Sequence, residues 1–383
     1  MSVEVNRNAQ KKHLGEVALV FFKLGCIAFG GPAAHIAMME DEVVNKRKWM
    51  DRQHFLDLVG ATNLIPGPNS TEMTMHCGHE RAGYPGLFIA GLCFIFPAVV
   101  ITGIFAWLYA QYGQLPEVEP FIYGIKPAVL AIIAGAIFKL GQKALKRWEL
   151  GLLGVLTLAV SLMGVNEILA LLGAGIVGTV YFALQDRMQN QANSIWALLF
   201  FQVQAVTSTQ LSELKIFWTF LKVGAVLYGS GYVLFAYLDA ELVAKGWLSR
   251  QQLMDAVAVG QFTPGPVLST ATFIGYQLSG WQGALLATVG IFLPSFFLVM
   301  ILNPWIPKMR QSSILAHFLD AVNIAAVAVM MAVLFVMGRD TLEDWRTILI
   351  ALISTGVTFG LKNVNTLWIV MGGALSGYLL SIF

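Results

Sequence analysis

"NLIPGPNSTEM" at residues 63–73 sets two prolines around a glycine in a run of apolar chain, and "QFTPGPVLST" at 261–270 does the same. Proline has no amide proton to donate and its ring blocks the preceding turn, so each Pro-Gly-Pro breaks a helix. The flanks of the two breaks also correspond. "FKLGCIAFGGPAAHI" (22–36) matches "LKVGAVLYGSGYVLF" (221–235), placing Lys23 on Lys222, Gly25 on Gly224 and Gly30 on Gly229 at an offset of 199. "KWMDRQHFLD" (48–57) matches "GWLSRQQLMD" (246–255), Pro66-Gly67-Pro68 falls on Pro264-Gly265-Pro266 at an offset of 198, and Pro97 meets Pro294 at 197. Such ordered matches mark an internal repeat. The chain divides into two homologous halves, 1–190 and 210–383, joined by 191–209 as a linker or an extra interfacial or transmembrane segment.

Of the 383 residues, 57% are hydrophobic and 12% charged, against about 25% charged in soluble domains. Crossing a bilayer takes about 20 apolar residues. Apolar segments fall near 16–37, 54–76, 84–112, 122–142, 150–164, 167–185, 216–238, 253–277, 281–303, 316–338, 346–361 and 364–383, with "IWALLFFQVQAV" after Ser194 as a further candidate. The expected fold is an all-α integral membrane protein of about 12–13 transmembrane segments. The polar, basic "MSVEVNRNAQKKH" lacks the form of a signal peptide. Net charge is +2 and the basic residues are spread over loops, which argues against nucleic acid as a partner. Cys26, Cys77 and Cys93 read as packing residues, and neither a disulfide, a metal nor a cofactor is expected.

Lys and Arg favour the cytoplasmic side. Lys11 and Lys12, the uncharged-to-acidic "QYGQLPEVEP" (111–120), and Lys139, Lys143, Lys146 and Arg147 fit simple alternation. Lys46, Arg47, Lys48 and Arg52 then fall outside, against the rule. A segment near Gly-Gly-Pro or Pro-Gly-Pro that dips in and returns repairs the conflict. A crossing at 195–210 inverts the second half relative to the first.

Irregular backbone at membrane depth survives only where protein buries it or a polar cavity adjoins it. Transporters built from repeats place substrate between discontinuous helices, whose N-termini carry free N–H groups and partial positive charge. A helix starting after Pro68 offers the N–H groups and side chains of Asn69, Ser70 and Thr71. Its twin after Pro266 offers the N–H groups of Val267 and Leu268, then Ser269 and Thr270, with Thr263 just upstream. Such ends suit an oxyanion. Gly30-Gly31-Pro32 and Gly229-Ser230-Gly231 form a second repeated break that admits close backbone approach. Lys23 and Lys222, nearly alone among apolar neighbours, either hold the charge of a divalent anion or snorkel to the interface. Glu72, aligned with Thr270, either couples transport to protons or caps its helix. His76 and His79 lack the spacing of a helical zinc pair, and Arg81 reads as an interfacial anchor. Glu40, Asp41 and Glu42 read as a solvated loop face, and Asp57 and Asp255, matched across the halves with Arg52 and Arg250, as structural ion pairs in preference to proton carriers.

With "FGGPAAHIAMMEDEV", "RKWMD" and "NLIPGPNSTEM", then "YGSGYVLFAYLDAELV", "KGWL" and "FTPGPVLSTATFIGY", the chain resembles the chromate ion transporter family in its long two-domain form. The resemblance implies a multi-pass protein of a bacterial-type inner membrane that exports chromate, driven by membrane potential or proton-motive force, and so gives chromate resistance. It also implies halves of opposite orientation and a functional role for Gly30, Gly31, Pro32, Pro66, Gly67, Pro68, Pro264, Gly265 and Pro266. Ser230 departs from the pattern, standing between Gly229 and Gly231 where the second half could have carried another glycine. The implied partners are chromate or a similar oxyanion and the lipid bilayer, with a homodimer open to it. Sulfate, another tetrahedral dianion, fits the same donors, and an anion channel is the alternative mechanism. An enzyme is not expected: no haem-attachment, dinucleotide-binding or clustered-cysteine pattern is present, and no Walker motif marks an ATP-driven pump.

Overall fold

The computed structural model describes residues 2–29, 31–113, 115–189, 212–228, 231–305, 309, 312–361 and 364–382. The predicted linker 191–209 and its candidate crossing, with Gly30, Gly229 and Ser230, lie outside them. Every regular element among the described residues is helical.

The first half opens with α1 (Ser2–Ile27), which stops before Gly31, a residue at φ 82 that favours glycine. α2 (Pro32–Glu40) follows and continues as a π-helical turn, Asp41–Lys46. Lys23 Nζ reaches Glu42 Oε1 at 3.0 Å. Continuous helix would set these residues about 28 Å apart, so the chain has turned back on itself. α3 (Arg52–Thr62) is started by Asp51, whose carboxylate accepts the His54 N–H at 2.8 Å. It ends ahead of Pro66-Gly67-Pro68, after which α4 (Asn69–Tyr112) begins. His54 near the start of α3 pairs with Glu80 at 3.1 Å, so α3 and the beginning of α4 also run antiparallel.

α4 is two arms. Ala82 and Gly83 leave helical geometry, with Gly83 at φ 64, and the chain reverses. The arms touch backbone to backbone: a Cβ on Gly78 would lie 2.3 Å from the Gly86 carbonyl oxygen. Residues 69–81 form a short arm, and 84–112 a long arm of about 43 Å.

The second half repeats this plan. α8 (Glu213–Val226) leads to a 3-10 turn, α9 (Leu234–Leu238) and a π-helical turn, Asp239–Val243, and Lys222 pairs with Glu241 at 2.5 Å. α10 (Arg250–Phe262) starts in a capping box between Ser249 and Gln252. Beyond Pro264-Gly265-Pro266 come a 3-10 turn (Val267–Ser269) and α11 (Thr270–Leu302), bent at Ser279 and Gly280 with Gly275 against Gly283. The remaining helices are α5 (Glu119–Ala144), α6 (Trp148–Leu162) and α7 (Glu167–Gln189) in the first half. Their second-half counterparts are α12 (Ser313–Thr341), α13 (Trp345–Gly360) and α14 (Thr366–Ser381).

Contacts between the long arms of α4 and α11 fix how the halves are related. Phe88 stacks on Phe296 with ring centroids 5.6 Å apart, whereas a Cβ on Gly103 would meet Trp281 at 3.1 Å. The arms are therefore antiparallel, and one half is inverted on the other. All twelve apolar segments are present as helical structure. Those at 16–37, 54–76, 216–238 and 253–277 enter and turn back, while 84–112, 122–142, 167–185, 281–303 and 316–338 lie in helices long enough to pass between the two faces. Re-entry puts Lys46, Arg47, Lys48, Arg52 and Arg81 on the same face as Lys139, Lys143, Lys146 and Arg147, which removes the charge conflict.

Five of the helical stretches are long and apolar enough to cross a membrane, and α6, α13 and α14 are shorter apolar helices. In lipid, helices associate through close packing of small residues rather than apolar burial. Gly25 and Gly224 do this in parallel: an added Cβ would lie 2.6 Å from the Phe94 carbonyl oxygen and 2.3 Å from that of Ile291. Gly124 of α5 meets Gly373 and Gly377 of α14 in the same manner. Leu152, Val155, Leu156, Leu352 and Trp368 are exposed on the outer helices, where acyl chains cover such side chains.

Candidate functional site

The breaks meet at mid-depth and exchange hydrogen bonds between halves. The Gly67 N–H donates to the Leu227 carbonyl at 2.7 Å, and the Gly265 N–H donates to the Ala28 carbonyl at 2.9 Å. Each Pro-Gly-Pro thus satisfies a carbonyl left at the end of the other half's first helix. The two glycines sit at φ 142 and φ 90. A Cβ on Gly67 would lie 2.2 Å from Glu72 Oε1 and 2.3 Å from Ser295 Oγ, and one on Gly265 would lie 2.8 Å from Ala98 Cβ. Ala98 and Ser295 directly follow Pro97 and Pro294, so each break also rests on the other half's long arm at its internal proline.

Accounting for the first-turn N–H groups shows which are available. Thr71 and Glu72 both donate to the Pro68 carbonyl, at 2.8 and 3.0 Å. Asn69 and Ser70 have no backbone acceptor among the described residues, and Pro68 supplies no side-chain cap. In the twin, Ser269 donates to Pro266 at 2.9 Å, leaving Val267 and Leu268. Side chains are more committed than the sequence suggests. Asn69 bonds Asn63 at 2.8 Å, Thr263 and Thr270 bond the carbonyls of Val259 and Val267, and Thr102 donates to Ser269 across the halves at 3.2 Å. Thr71 Oγ1 is buried without a partner.

Glu72 is fully buried, and neither carboxyl oxygen has a hydrogen-bond partner, so it makes no capping bond. It lies beside Gly67 and Ser295, whose hydroxyl is equally unpartnered. The second half carries Thr270 at the aligned position, so the two breaks differ chemically. Two residues absent from the sequence-based set belong here: Ser295, marked only by following Pro294, and His35, one turn into α2 with both ring nitrogens buried and unpaired. The signal for His35 was a lone imidazole in an apolar segment just past Gly31-Pro32.

The predicted lysines sit apart from these groups. Lys23, its side chain 55% exposed, pairs with Glu42, and Lys222 pairs with Glu241, which also takes Lys245 at 2.6 Å. Glu42 is therefore buried in an ion-pair cluster with Lys23, Lys46 and Arg47, not part of a solvated loop face, because the turn after Gly31 folds it onto α1. Glu40 and Asp41 pair with Arg52 and Lys46. The expected Asp–Arg pairs are replaced as well: Arg250 binds Asp239 and Asp340, while Asp255 takes Lys126 at 3.5 Å and the Tyr109 hydroxyl at 2.6 Å. Asp57 accepts from Gln53 one turn away. Re-entry again explains this, since it points Asp255 inward and Arg250 toward the face. Arg81 pairs with Glu16 and covers the Trp49 ring. Asn303 of the second half bridges His76 and His79 at 3.1 and 3.0 Å. No group suited to a metal ion occurs among the described residues.

A sequence profile described as chromate transporter matches residues 15–179 and again 214–378, so each match contains one complete set of breaks. The chain belongs to the chromate transporter family. It is 32% identical over 350 residues to a probable chromate transport protein of Synechococcus elongatus, covering 89% of this chain and 88% of that one. It is 28% identical over 372 residues to a chromate transport protein of Cupriavidus metallidurans, covering 95% and 92%. An uncharacterized transporter of Bacillus subtilis, YwrB, is 27% identical over 181 residues, which is 46% of this chain and 91% of its own length. One half of the fold thus corresponds to nearly a whole relative. No solved structure matches the chain. Family, buried breaks and apolar outer helices together make this a multi-pass integral membrane protein of a transporter family.

Proposed function

We propose that the protein is a secondary transporter that carries chromate out of the cytoplasm, driven by membrane potential or proton-motive force, and so gives chromate resistance. The observation that carries this reading is that the two Pro-Gly-Pro breaks each bond to the other half and each precede a helix start whose N–H groups, at Asn69 and Ser70 and at Val267 and Leu268, have no backbone acceptor among the described residues. Backbone donors of this kind hold tetrahedral anions without a fixed cation. Lys23 and Lys222 serve on this reading as anchors of the re-entrant turns, because both are engaged by carboxylates. An inside-negative potential drives a dianion outward with about 4.6 kcal/mol per 100 mV, from about 2.3 per charge. Inverted halves that pack through antiparallel long arms suit rocking of one against the other. Glu72 is our candidate proton carrier, since it is a fully buried acid beside the Ser295 hydroxyl with no ion-pair partner among the described residues.

The test is uptake of labelled chromate into everted vesicles, with an imposed inside-positive potential and excess sulfate as competitor. Saturable, potential-driven accumulation that is lost in Pro66→Ala/Pro264→Ala at equal membrane levels supports export through the paired breaks. Sulfate flux without chromate flux would refute chromate as the substrate, and non-saturating flux would make the protein a channel. In Glu72→Gln, uptake should keep its response to potential and lose its response to an imposed pH gradient. An unaltered pH-gradient response removes Glu72 as the carrier.

A further inference from the structure

Two independent registers place His35 beside the first turn of α4. α2 and the short arm of α4 both run outward from the mid-depth breaks, and Met39 Sδ of α2 receives the Thr74 hydroxyl at 3.8 Å. One helical turn inward along each helix brings His35 level with Ser70 and Thr71. The second register comes from the two arms of α4. Gly78 touches Gly86, so two turns further in the short arm near Ser70 lies level with Phe94 of the long arm. The His35 ring packs edge-on against Phe94 with centroids 5.7 Å apart.

At this level several polar groups lack partners. His35 is 1% exposed and neither ring nitrogen reaches hydrogen-bond geometry, although the Ala28 carbonyl, which takes the Gly265 N–H, lies beside the ring. The Thr71 hydroxyl is buried and unpaired, and the Asn69 and Ser70 N–H groups have no backbone acceptor among the described residues. A buried polar group left without a partner is destabilising, so the convergence of several marks a place built for a ligand. All can donate: an imidazole carries an N–H in either protonation state, and a hydroxyl turns to suit. Thr74, which faces α2, is four residues from Ser70, whereas Glu72 is only two away and points to Gly67 and Ser295. By helical spacing the carboxyl therefore lies on the opposite side of the arm from Ser70 and Thr74, with Thr71 between them.

We infer that His35 is a ligand of the transported oxyanion, donating from α2 to an anion seated at the start of α4. This rests on the anion-transport reading and locates the anion on the His35 side of that helix. The second half has Leu234 at the matching position, so the inference assigns one such seat per chain, in the first half.

The purified full-length protein in nanodiscs, titrated with labelled chromate and separately with labelled sulfate, tests it through two readouts of opposite sign. His35→Leu, the residue the second half uses, should weaken oxyanion binding at least tenfold. It should also raise the thermal midpoint, because it removes unpaired polar atoms from a buried position. His35→Gln keeps a donor and should bind within about threefold of the parent. Parent-like affinity in His35→Leu overturns the inference and leaves the transport reading intact. If His35→Leu does not fold, a folded His35→Ala variant with parent-like affinity overturns it equally. Failure of the parent to bind either anion sinks the transport reading and this inference together.

Discussion

Glycine is required at the breaks for two reasons that a substitution series separates. Gly67 has φ 142 and no room, since its added Cβ would fall within 2.3 Å of both Glu72 and Ser295. Gly246 also has positive φ, 71, but nothing lies within 4 Å of an added Cβ. Gly67→Ala should therefore lose about 1–3 kcal/mol to overpacking and lose transport, because the displaced groups are those of the site. Gly246→Ala should lose about 1–2 kcal/mol from backbone strain and transport at the parental rate per molecule. Vesicle uptake normalised to protein level, with thermal unfolding in detergent, checks both. Equal transport in the two variants would mean that the space beside Gly67 has no part in function.

At the scale of elements, each re-entrant turn is tied to its first helix by a buried glutamate. Glu241 holds Lys222 and Lys245, which are 32% and 47% exposed and so able to return to water when released. The loss in Glu241→Gln should then be about 1–2 kcal/mol, below the 3–5 of a fully buried pair. The exchange Lys222→Glu/Glu241→Lys should recover transport if the lysine is an anchor and fail if it binds the anion. α13 is tied differently, by Asp344, whose carboxylate accepts the Thr347 N–H at 2.8 Å and the Tyr123 hydroxyl. These bonds, the Thr347 N–H foremost, hold its carboxyl below the ordinary aspartate value. Stability from this cap is complete above that ordinary value and is lost as pH falls through the lowered folded value. Asp344→Ala should cost about 1 kcal/mol near neutrality, and the gap from the parent should close in acid, as thermal midpoints across a pH series would reveal. Unlike the cap read at Glu72, which is not made, breaks of this kind were legible because proline and glycine act locally. The Lys23–Glu42 and Asp255–Lys126 pairs were not, because they depend on whether a segment crosses or returns, and hydropathy is the same for both.

For the whole molecule, the inverted repeat was legible as sequence offsets, while the depth at which the breaks meet emerged only from contacts such as Gly67 with Leu227 and Gly265 with Ala28. His35 escaped notice for the same reason: its unpaired nitrogens become visible only when α2 is laid against α4. Inversion has a direct consequence at two matched turn tips. Lys48 and Gly246, 198 residues apart, occupy the same exposed turn of the two halves, with φ 51 and φ 71. The same bonds close both turns, Trp49 N–H to Val43 at 2.8 Å and Trp247 N–H to Leu242 at 2.9 Å. Antiparallel long arms place these equivalent tips on opposite faces. In a background with Cys26, Cys77 and Cys93 replaced by alanine, a membrane-impermeant maleimide should label Lys48→Cys in everted vesicles and Gly246→Cys in intact cells. The positive charge gathered around Lys48 assigns that face to the cytoplasm. Labelling of both sites from one side would contradict the inversion and, with it, the joining of two opposed helix starts around one anion.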